Sequence, residues 1–589
     1  MSKHNAEPRE VPAFERRPLD SQEPITRIGG GSLGGKARGL VLAHDLLAAE
    51  FDASDETLMI GVPHLTVLAT DVFDAFMERN DLDSIAFSDA PDDRIAHAFQ
   101  RADLPVEVVG DLRALASTAR TPLAVRSSSL LEDALFRPFA GVYETKMTPC
   151  NQPDPAQRYQ RLLEAIKFVY ASTYLSTAQD YIRAAGEDPR REKMAVILQQ
   201  IVGTRHGDRF YPDLSGVCRS YNYYPVGRGR PEEGVVQLAL GLGKSIVDGG
   251  LSWSYCPARP RSPPPFGSVG DLLKNTQTRF WAVNLGPAPE YDPIVETEYL
   301  VHSDLAAAEY DATLGFVAST YDARSDRLYP GVGRSGPRAL NFAPLLEQNR
   351  FGFNQVVPRL LAACERALLA AVEIEFALTL PHPAGPDRAR FGFLQVRPMV
   401  VSQTQVEVSE EELNGSDVLV ASISGMGNGT DESIADVVYV RPETFDARHT
   451  PAIARALQES NVRLMGEGRP YLLIGFGRFG SSDPWLGIPV NWGQIAGARA
   501  IVEAGLPGLF VEPSQGSHFF HNLSSFEVSY LTVPVGALRG IDFEWLDRQA
   551  AVSETEFVRH VRLAAPLLLR VDGRTGRGVI RRSRENPTG

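Results

Sequence analysis

The chain has 589 residues, of which 43% are apolar and 22% charged, and its formal net charge at pH 7 is −14. This length predicts about four domains of roughly 150 residues, and the composition is that of a water-soluble globular protein. The acidic balance argues against a whole-chain binder of nucleic acid or of an acidic membrane surface. Four widely spaced cysteines without a CxxC pair exclude a disulfide framework and a zinc site, and they favour a reducing cytoplasm.

The first twenty residues are predicted to be a flexible arm, because they mix both signs of charge with prolines. They lack the apolar segment of a secretion signal. No run approaches about 18 consecutive apolar residues, so no membrane span is expected.

A glycine loop, GGGSLGGK, ends at Lys36 and precedes an apolar helical pattern. The segment from Gly30 to Lys36 nearly matches the phosphate-binding GxxxxGK loop, but Ala37 stands where a Ser or Thr would hold magnesium. Free N–H groups and one ammonium at a helix start still predict an anion site. A flexible glycine turn is the alternative interpretation.

Residues 55–120 alternate strands and helices, with a strand at 58–62 and helices at 65–79 and 92–102, which indicates an α/β fold. The next segment, PLAVRSSSLLED, begins with a short apolar strand that ends at Arg126 and continues into three serines and an acidic pair. A planar guanidinium in this position suits a polyphosphate, because it donates two parallel hydrogen bonds. A strand–turn–strand with a surface arginine is the alternative.

Two further strands are predicted at 371–379 and 391–397. Glu373 and Glu375 are two residues apart and therefore share a face of the first strand, and Gln395 and Arg397 share a face of the second if the two form a hairpin. Oxygen ligands of this kind suit Mg²⁺ between nucleotide phosphates, and an adjacent arginine offsets transferring charge. A solvated hairpin face is the alternative.

Five segments between residues 29 and 400 resemble, in the same order, motifs of the pyruvate phosphate dikinase and phosphoenolpyruvate synthase family. They are the glycine loop (GGK-A-xx-L), the arginine segment at 122–145, the strand pair MAVILQQIV and SGV, the turn LGLGKSIVDGG (G-L-G-E-x-V-V-x-G), and EIEF…LQVRP (D-I-E-F…L-Q-x-R-P). Two departures stand out, since Lys244 replaces a glutamate and Glu373 replaces an aspartate.

The resemblance implies an α/β (α+β) ATP-grasp-like domain that binds ATP and Mg²⁺. Its implied cofactor-binding residues are Lys36, Arg126, Gln199, Gly241, Gly243 and Glu373, its metal ligands Glu375 and Gln395, and its catalytic groups Lys36, Arg126 and Arg397. We expect this domain at 21–400, a linker at 401–416, a smaller α/β domain at 417–540, and a C-terminal helix with a basic tail at 541–589.

The last third of the chain resembles the family less closely. Too few residues remain for the family's phosphoenolpyruvate-binding barrel, and the usual phosphohistidine motif is absent from 417–540, which we expect to be a degenerate swivelling domain. A GxGxxG match at 475–480 lacks the following helix of a dinucleotide site. A loop that recognises an acceptor or a phosphate, or a plain turn, fits better; its candidate residues are Arg478, Ser481, Ser482 and Asp483. His518 is the candidate phosphoryl carrier, because neutral imidazole is nucleophilic; a structural histidine is the alternative.

Two functions follow as hypotheses. The first is an ATP-dependent phosphotransferase that passes a phosphoryl group to a histidine and then to an unknown small molecule or protein. The second is a module that senses ATP without turning it over and docks a partner protein. The expected partners are a nucleotide and an acceptor, with no nucleic acid and no membrane, and a homo-oligomer is left open.

Overall fold

The computed structural model describes residues 10–17, 23–51, 57–132, 141–184, 186–223, 225, 229–262, 268–381, 386–399, 401, 406–481, 485–505, 522–523, 526–536 and 540–583. Helices and mixed β-sheets alternate along these residues, which confirms the predicted α/β class. No helix in these ranges combines the length and the apolar character that crossing a bilayer requires.

The α-helices of the described residues are α1 (Gly34–Glu50), α2 (Thr70–Arg79), α3 (Asp83–Ala86), α4 (Asp92–Arg101), α5 (Val106–Thr118), α6 (Pro155–Ser172), α7 (Ser176–Ala184), α8 (Lys244–Val247), α9 (Val269–Lys274), α10 (Leu305–Tyr310), α11 (Ala343–Leu346), α12 (Phe353–Leu368), α13 (Glu410–Leu413), α14 (Thr450–Gly466) and α15 (Phe543–Asp547).

The strands before residue 400 are β1 (Ile25–Ile28), β2 (Leu58–Gly61), β3 (Leu65–Leu68), β4 (Leu123–Ser129), β5 (Thr145–Thr148), β6 (Met194–Gln200), β7 (Thr204–His206), β8 (Arg209–Tyr211), β9 (Leu214–Arg219), β10 (Val235–Ala239), β11 (Trp253–Tyr255), β12 (Arg279–Asn284), β13 (Leu300–Asp304), β14 (Ser319–Asp322), β15 (Arg327–Pro330), β16 (Arg338–Ala339), β17 (Ala371–Thr379) and β18 (Ala389–Met399).

The later strands are β19 (Val418–Ser422), β20 (Ser424–Met426), β21 (Gly429–Asp431), β22 (Asp436–Val440), β23 (Tyr471–Phe476), β24 (Arg478–Phe479), β25 (Gly487–Ile488), β26 (Ala498–Ala504), β27 (Ser529–Val533), β28 (Ala551–Glu554), β29 (Val558–Arg562), β30 (Leu568–Asp572) and β31 (Arg577–Arg581).

Two sheets in the N-terminal part hold the residues of interest. One has the strand order β1-β3-β6-β4-β5 and the other β11-β10-β9-β17-β18-β2. In the second sheet β17 pairs antiparallel with β9 and β18, so Glu373 lies opposite Arg219 on one side and opposite Arg397 on the other. Gln395 lies opposite Glu375, which confirms the predicted hairpin.

The C-terminal part contains a seven-stranded sheet of order β20-β27-β26-β23-β22-β29-β28. Its strands β22, β23, β26 and β27 run parallel to one another. The apolar run of β23, Tyr471–Phe476, is buried throughout, as expected for a parallel strand covered on both faces. A four-stranded sheet of order β19-β31-β30-β21 is formed by other strands of the same part of the chain. Residues of both sheets belong to one apolar core cluster.

Local signals explain several elements. The helical pattern from residue 154 onward, which fits one long helix or two joined ones, forms the two helices α6 and α7, and Asp154 caps α6 by accepting a hydrogen bond from the Ala156 N–H. The predicted helix at 65–79 is instead the strand β3 followed by α2. Leu65 to Leu68 are fully buried between β1 and β6, so packing overrides the helical spacing of the apolar residues there.

Three predicted segment boundaries differ from the structure. In the predicted arm, Phe14 is buried and Ala13 bridges Arg27, so residues 10–17 pack against the domain. In the predicted linker, residues 406–416 carry α13, and Leu413 packs with Val408 and Val579. The predicted basic tail is wrong for residues 573–581, because β31 pairs with both β19 and β30.

Candidate functional site

A cleft of about 300 Å³ lies between the two N-terminal sheets. Strands β4, β5 and β6 contribute one wall, strands β9, β17 and β18 contribute the other, and the glycine turn before α8 closes one side. Six of the residues singled out from the sequence line it, and they are Lys36, Arg126, Gln199, Gly243, Glu375 and Gln395. The fold therefore brings together side chains from both ends of the first four hundred residues.

Arg126 connects the two walls. Its Nη1 donates to the Gln199 Oε1 at 3.2 Å and to the Leu394 carbonyl at 2.8 Å. Its Nη2 donates to the Gln395 Oε1 at 2.8 Å and to the Glu375 Oε2 at 3.3 Å. The guanidinium is thus fixed in the cleft by acceptors from three strands, which is the pre-organisation that recognition of a polyphosphate requires.

Lys36 reaches the cleft from the first turn of α1. Its Nζ lies 2.8 Å from the Glu132 Oε1 and donates to the Ser127 Oγ at 3.1 Å. Glu132 is buried and also accepts from the Ser127 hydroxyl and the Ser129 N–H, so the serines at the end of β4 fix the carboxylate that pairs with Lys36. No local sequence signal marks this partnership, since Glu132 resembles a surface acid.

The glycine loop before α1 differs from the prediction in one respect. The N–H groups of Gly30 and Gly31 donate to the carboxylate of Asp71 at 2.8 and 3.0 Å, so they do not remain free for an anion. Gly34 has φ +75°, and a Cβ there would lie 1.7 Å from the Ser128 carbonyl oxygen. Only glycine permits this close approach, which sets the start of α1 and the position of Lys36.

The two predicted metal ligands, Glu375 and Gln395, are cross-strand neighbours, and the Arg126 Nη2 lies between their oxygens. A carboxylate and an amide oxygen fit Mg²⁺, which prefers oxygen ligands and takes the remainder from phosphates and water. The described residues contain no cluster of three or more His, Cys, Asp or Glu that would hold a metal by itself. A metal in this cleft would therefore depend on a phosphate ligand, and Arg126 would have to move from these oxygens.

Glu373 and Arg397 do not line the cleft but form a buried ion cluster with Arg219. The Arg219 Nε lies 2.5 Å from the Glu373 Oε2, and the Arg397 Nε donates to the Glu373 Oε1 at 2.7 Å. All three side chains are at most 3% exposed. The roles predicted for Glu373 and Arg397 at the nucleotide stay predictions, and no local sequence signal marks Arg219.

The glycine turn before α8 leads to Lys244, which stands where the family motif has a glutamate. The Gly241 carbonyl accepts from the Ser215 hydroxyl, which attaches the turn to β9. The Lys244 Nζ lies 2.6 Å from Glu296 and 3.1 Å from Asp248. Burial, with the nearby Glu296, raises the pKa of the Glu144 carboxyl, which immediately precedes β5, to about 7. Lys244 therefore supplies the positive charge among three carboxyl groups that line this side of the cleft.

Gln199 is buried in the cleft wall, where its Oε1 accepts from Arg126. Its Nε2 has no hydrogen-bond partner among the described residues. A buried amide N–H group without a partner is costly, and a ligand oxygen in the cleft would satisfy it.

The C-terminal part packs against the same region. Arg478 is buried, and its Nη1 donates at 2.7 Å to the carbonyl of Gly249, which follows the glycine turn. The Tyr181 hydroxyl donates to the Asn522 Oδ1 at 3.2 Å. Burial raises the pKa of Tyr181. His518, Ser482 and Asp483 lie outside the described residues.

Comparison with known proteins defines the class. Residues 31–262 match the family model described as pyruvate phosphate dikinase, AMP/ATP-binding domain. This part of the chain is therefore similar to the nucleotide-binding domain of the pyruvate phosphate dikinase and phosphoenolpyruvate synthase type, as the sequence motifs predicted.

Two curated relatives share this part of the chain. One is rifampicin phosphotransferase of Streptomyces sviceus, which is 33% identical over 157 residues, or 26% of this chain and 16% of the relative. The other is phosphoenolpyruvate synthase of Aeropyrum pernix, which is 28% identical over 144 residues, or 24% of this chain and 15% of the relative. The matched part of the chain thus spans about one sixth of each relative's length.

Proposed function

We propose that the protein is an ATP-dependent phosphotransferase whose nucleotide binds in the cleft between the two N-terminal sheets. The observation that carries this proposal is the position of Arg126, whose guanidinium contacts both walls at the residues predicted for phosphate and metal. Lys36 adds a second cation in the same cleft. Cations of this kind bind phosphate oxygens, and the carboxylate–amide pair beside them offers oxygen ligands for Mg²⁺.

Within this proposal, Glu375 and Gln395 would hold Mg²⁺, which supplies charge neutralisation of the phosphates when it is bound. Lys36 and Arg126 orient the phosphates. Arg397 would act on the transferred group only after a change in its pairing with Glu373, because the two side chains engage each other.

The phosphoryl carrier we propose is His518. The proposal rests on the chemistry of the side chain, because a neutral imidazole is nucleophilic and can carry a phosphoryl group. An imidazole nitrogen would attack the terminal or internal phosphorus, and the bond from that phosphorus to the nucleotide's bridging oxygen would break.

Incubation with Mg-ATP, followed by chromatography of the nucleotides and mass spectrometry under alkaline conditions, tests the reaction. Consumption of ATP with an acid-labile phosphate on His518, absent in His518→Ala, supports the carrier. Consumption that His518→Ala leaves unchanged removes the carrier but retains the phosphotransferase. Bound ATP that is never consumed matches the sensor module instead.

A panel of candidate compounds tests which acceptor receives the phosphoryl group. The two relatives are named rifampicin phosphotransferase and phosphoenolpyruvate synthase, so rifampicin and pyruvate are the first compounds to test. We expect the protein to transfer the label of γ- or β-labelled ATP to an acceptor and Arg126→Met to abolish the transfer. Transfer that survives in Arg126→Met contradicts the assignment of the cleft.

A further inference from the structure

A second cavity, of about 220 Å³, lies between the N-terminal and C-terminal parts. Tyr221 and Tyr223, which follow β9, form one wall. The glycine-rich segment 427–429, Arg499 at the start of β26, and residues 527–529 and 573–574 form the other. The described residues that line this cavity differ from those that line the nucleotide cleft, so the two are separate sites.

Both signs of charge line this second cavity. The side chains of Arg499 and Arg574 are 47% and 61% exposed, so their guanidinium groups retain donors for a ligand carboxylate. Asp431 lies 3.4 Å from the Arg499 Nε, and Glu527 is also exposed at the cavity. The cavity therefore offers carboxylates as well as guanidinium donors. Asp431 also accepts from the Ser433 N–H and hydroxyl, and Glu527 adds a second carboxylate.

The walls have the form of a ligand site. The rings of Tyr221 and Tyr223 pack edge to face, with centroids 5.1 Å apart, and give one side a flat apolar surface. Gly427 has φ +110°, and a Cβ there would lie 3.2 Å from the Ser529 Oγ, so bare main chain faces the cavity. Glu527 has φ +53°, a strained value for a residue with a side chain, and such strain clusters at ligand sites.

We propose that this cavity binds a small zwitterion of the α-amino acid type, its carboxylate on Arg499 and Arg574 and its ammonium on Asp431 and Glu527. The volume of about 220 Å³ equals that of about seven water molecules at roughly 30 Å³ each, which suits an amino acid better than a second nucleotide. The tyrosines would contact the side chain of the amino acid.

The second cavity is separate from the nucleotide cleft, but strand β9 leads from one to the other. Val217 on β9 lines the nucleotide cleft, and Tyr221 lines the second cavity four residues later, or about 13 Å along extended chain. Arg219, in the buried ion cluster, lies between them. Since both parts of the chain contribute walls, a bound amino acid contacts both.

Isothermal titration calorimetry of the full-length protein with each standard L-amino acid tests this proposal, with Asp431→Asn/Arg499→Met as the cavity variant. We expect at least one amino acid to bind the wild type and to bind the variant at least about tenfold more weakly, the loss expected for charged hydrogen bonds. Arg448→Met is the matched control, because Arg448 is an exposed arginine of the C-terminal part that pairs with Asp446. It should leave the affinity unchanged.

Analogues separate a zwitterion site from a site for either charge alone. If L-phenylalanine is the ligand, 3-phenylpropionate lacks the ammonium and phenethylamine lacks the carboxylate, and we expect neither to bind measurably. The proposal is overturned if no amino acid binds, if the cavity variant binds as tightly as the wild type, or if either analogue binds as well as the amino acid. Because ATP binding is measured on the same variants, failure of the nucleotide cleft is recognised separately.

Discussion

The Arg126 Nη2 donates to the Gln395 Oε1 at 2.8 Å, although 269 residues separate the two along the chain. This contact joins β4 of one sheet to β18 of the other. A magnesium–phosphate ligand between the sheets would take Glu375 and Gln395 from the Arg126 Nη2, while Nη1 could keep its bonds to the Gln199 Oε1 and the Leu394 carbonyl.

Substituting Arg126 by Met is expected to weaken ATP binding by about 10- to 100-fold, since a hydrogen bond to a charged group contributes about 1.5–3 kcal/mol. Arg126→Lys keeps the charge but loses the planar fork, and we expect an intermediate affinity. Calorimetric titration with Mg-ATP measures both. Arg366→Met, which removes an exposed arginine paired with Glu50, is the control. An Arg126→Met protein that is folded and binds ATP normally would show that the nucleotide lies elsewhere.

Gly34→Ala is expected to destabilise the protein by about 3 kcal/mol or more, because the new methyl group displaces the Ser128 main chain and adds left-handed strain. Gly207→Ala is a matched control, since Gly207 has φ +57° and no atom lies within 4 Å of the position that its Cβ would take. It should lose only about 1–2 kcal/mol. Urea unfolding measures the two free energies. Equal losses would mean that the approach to Ser128 is unimportant.

Stability should fall as pH rises from about 4.5 to 7, in part because of Glu503. Its carboxyl is buried, accepts from the Phe479 N–H, and has its pKa raised by burial from 4.5 to about 7. Within this window the folded protein retains a proton that the unfolded chain releases, so higher pH favours unfolding.

Glu503→Gln is therefore expected to make the fall of the unfolding free energy with rising pH less steep. The change should be up to about 1.4 kcal/mol per pH unit, the value for one proton. Urea titrations across this range measure the slope. Glu410→Gln, at an exposed position in the first turn of α13, should leave it unchanged. The same slope in Glu503→Gln and the wild type would exclude this carboxyl as a source. Glu144 and Glu192 shift in the same direction, so part of the slope should persist.

Lys244→Glu introduces the glutamate that the family turn has at this position. We nevertheless expect it to weaken ATP binding about tenfold or more. The new carboxylate would face Glu296 and Asp248 without the ammonium that now lies between them. Lys244→Met removes the charge alone and should lie between the wild type and Lys244→Glu. Calorimetric titration with Mg-ATP compares the three proteins. Tighter binding by Lys244→Glu would indicate that the surrounding carboxyl groups are neutral when the nucleotide binds.

The cleft was predictable from the sequence wherever local pattern and chemistry coincide. Alternation predicted the shared faces in the hairpin of β17 and β18, in which Glu375 lies opposite Gln395. The strand predicted to end at Arg126 continues through the three serines to Ser129, because these residues pair with β6. The partners of these residues were harder to predict. Glu132 and Arg219 have no distinguishing local pattern, and their pairing depends on which strands become neighbours.

The C-terminal part was predicted less well for a related reason. The segment RGVIR of β31 contains arginines at both ends, so its charge suggested a solvated tail, while only pairing with β19 and β30 buries its central residues. The sequence places Arg478 in a recognition loop or a plain turn, whereas in the structure it begins the short strand β24 and its buried side chain donates to the Gly249 carbonyl.

One apolar cluster contains Tyr181 and Phe99 from the N-terminal part together with Trp492 and Phe526 from the C-terminal part. The Trp492 and Phe526 rings stack with centroids 5.0 Å apart, and Phe526 meets Tyr181 edge to face at 5.1 Å. Truncating the chain after residue 400 would uncover this aromatic surface. A recombinant fragment that ends there should aggregate or bind hydrophobic dyes, even though its nucleotide-binding strands are complete.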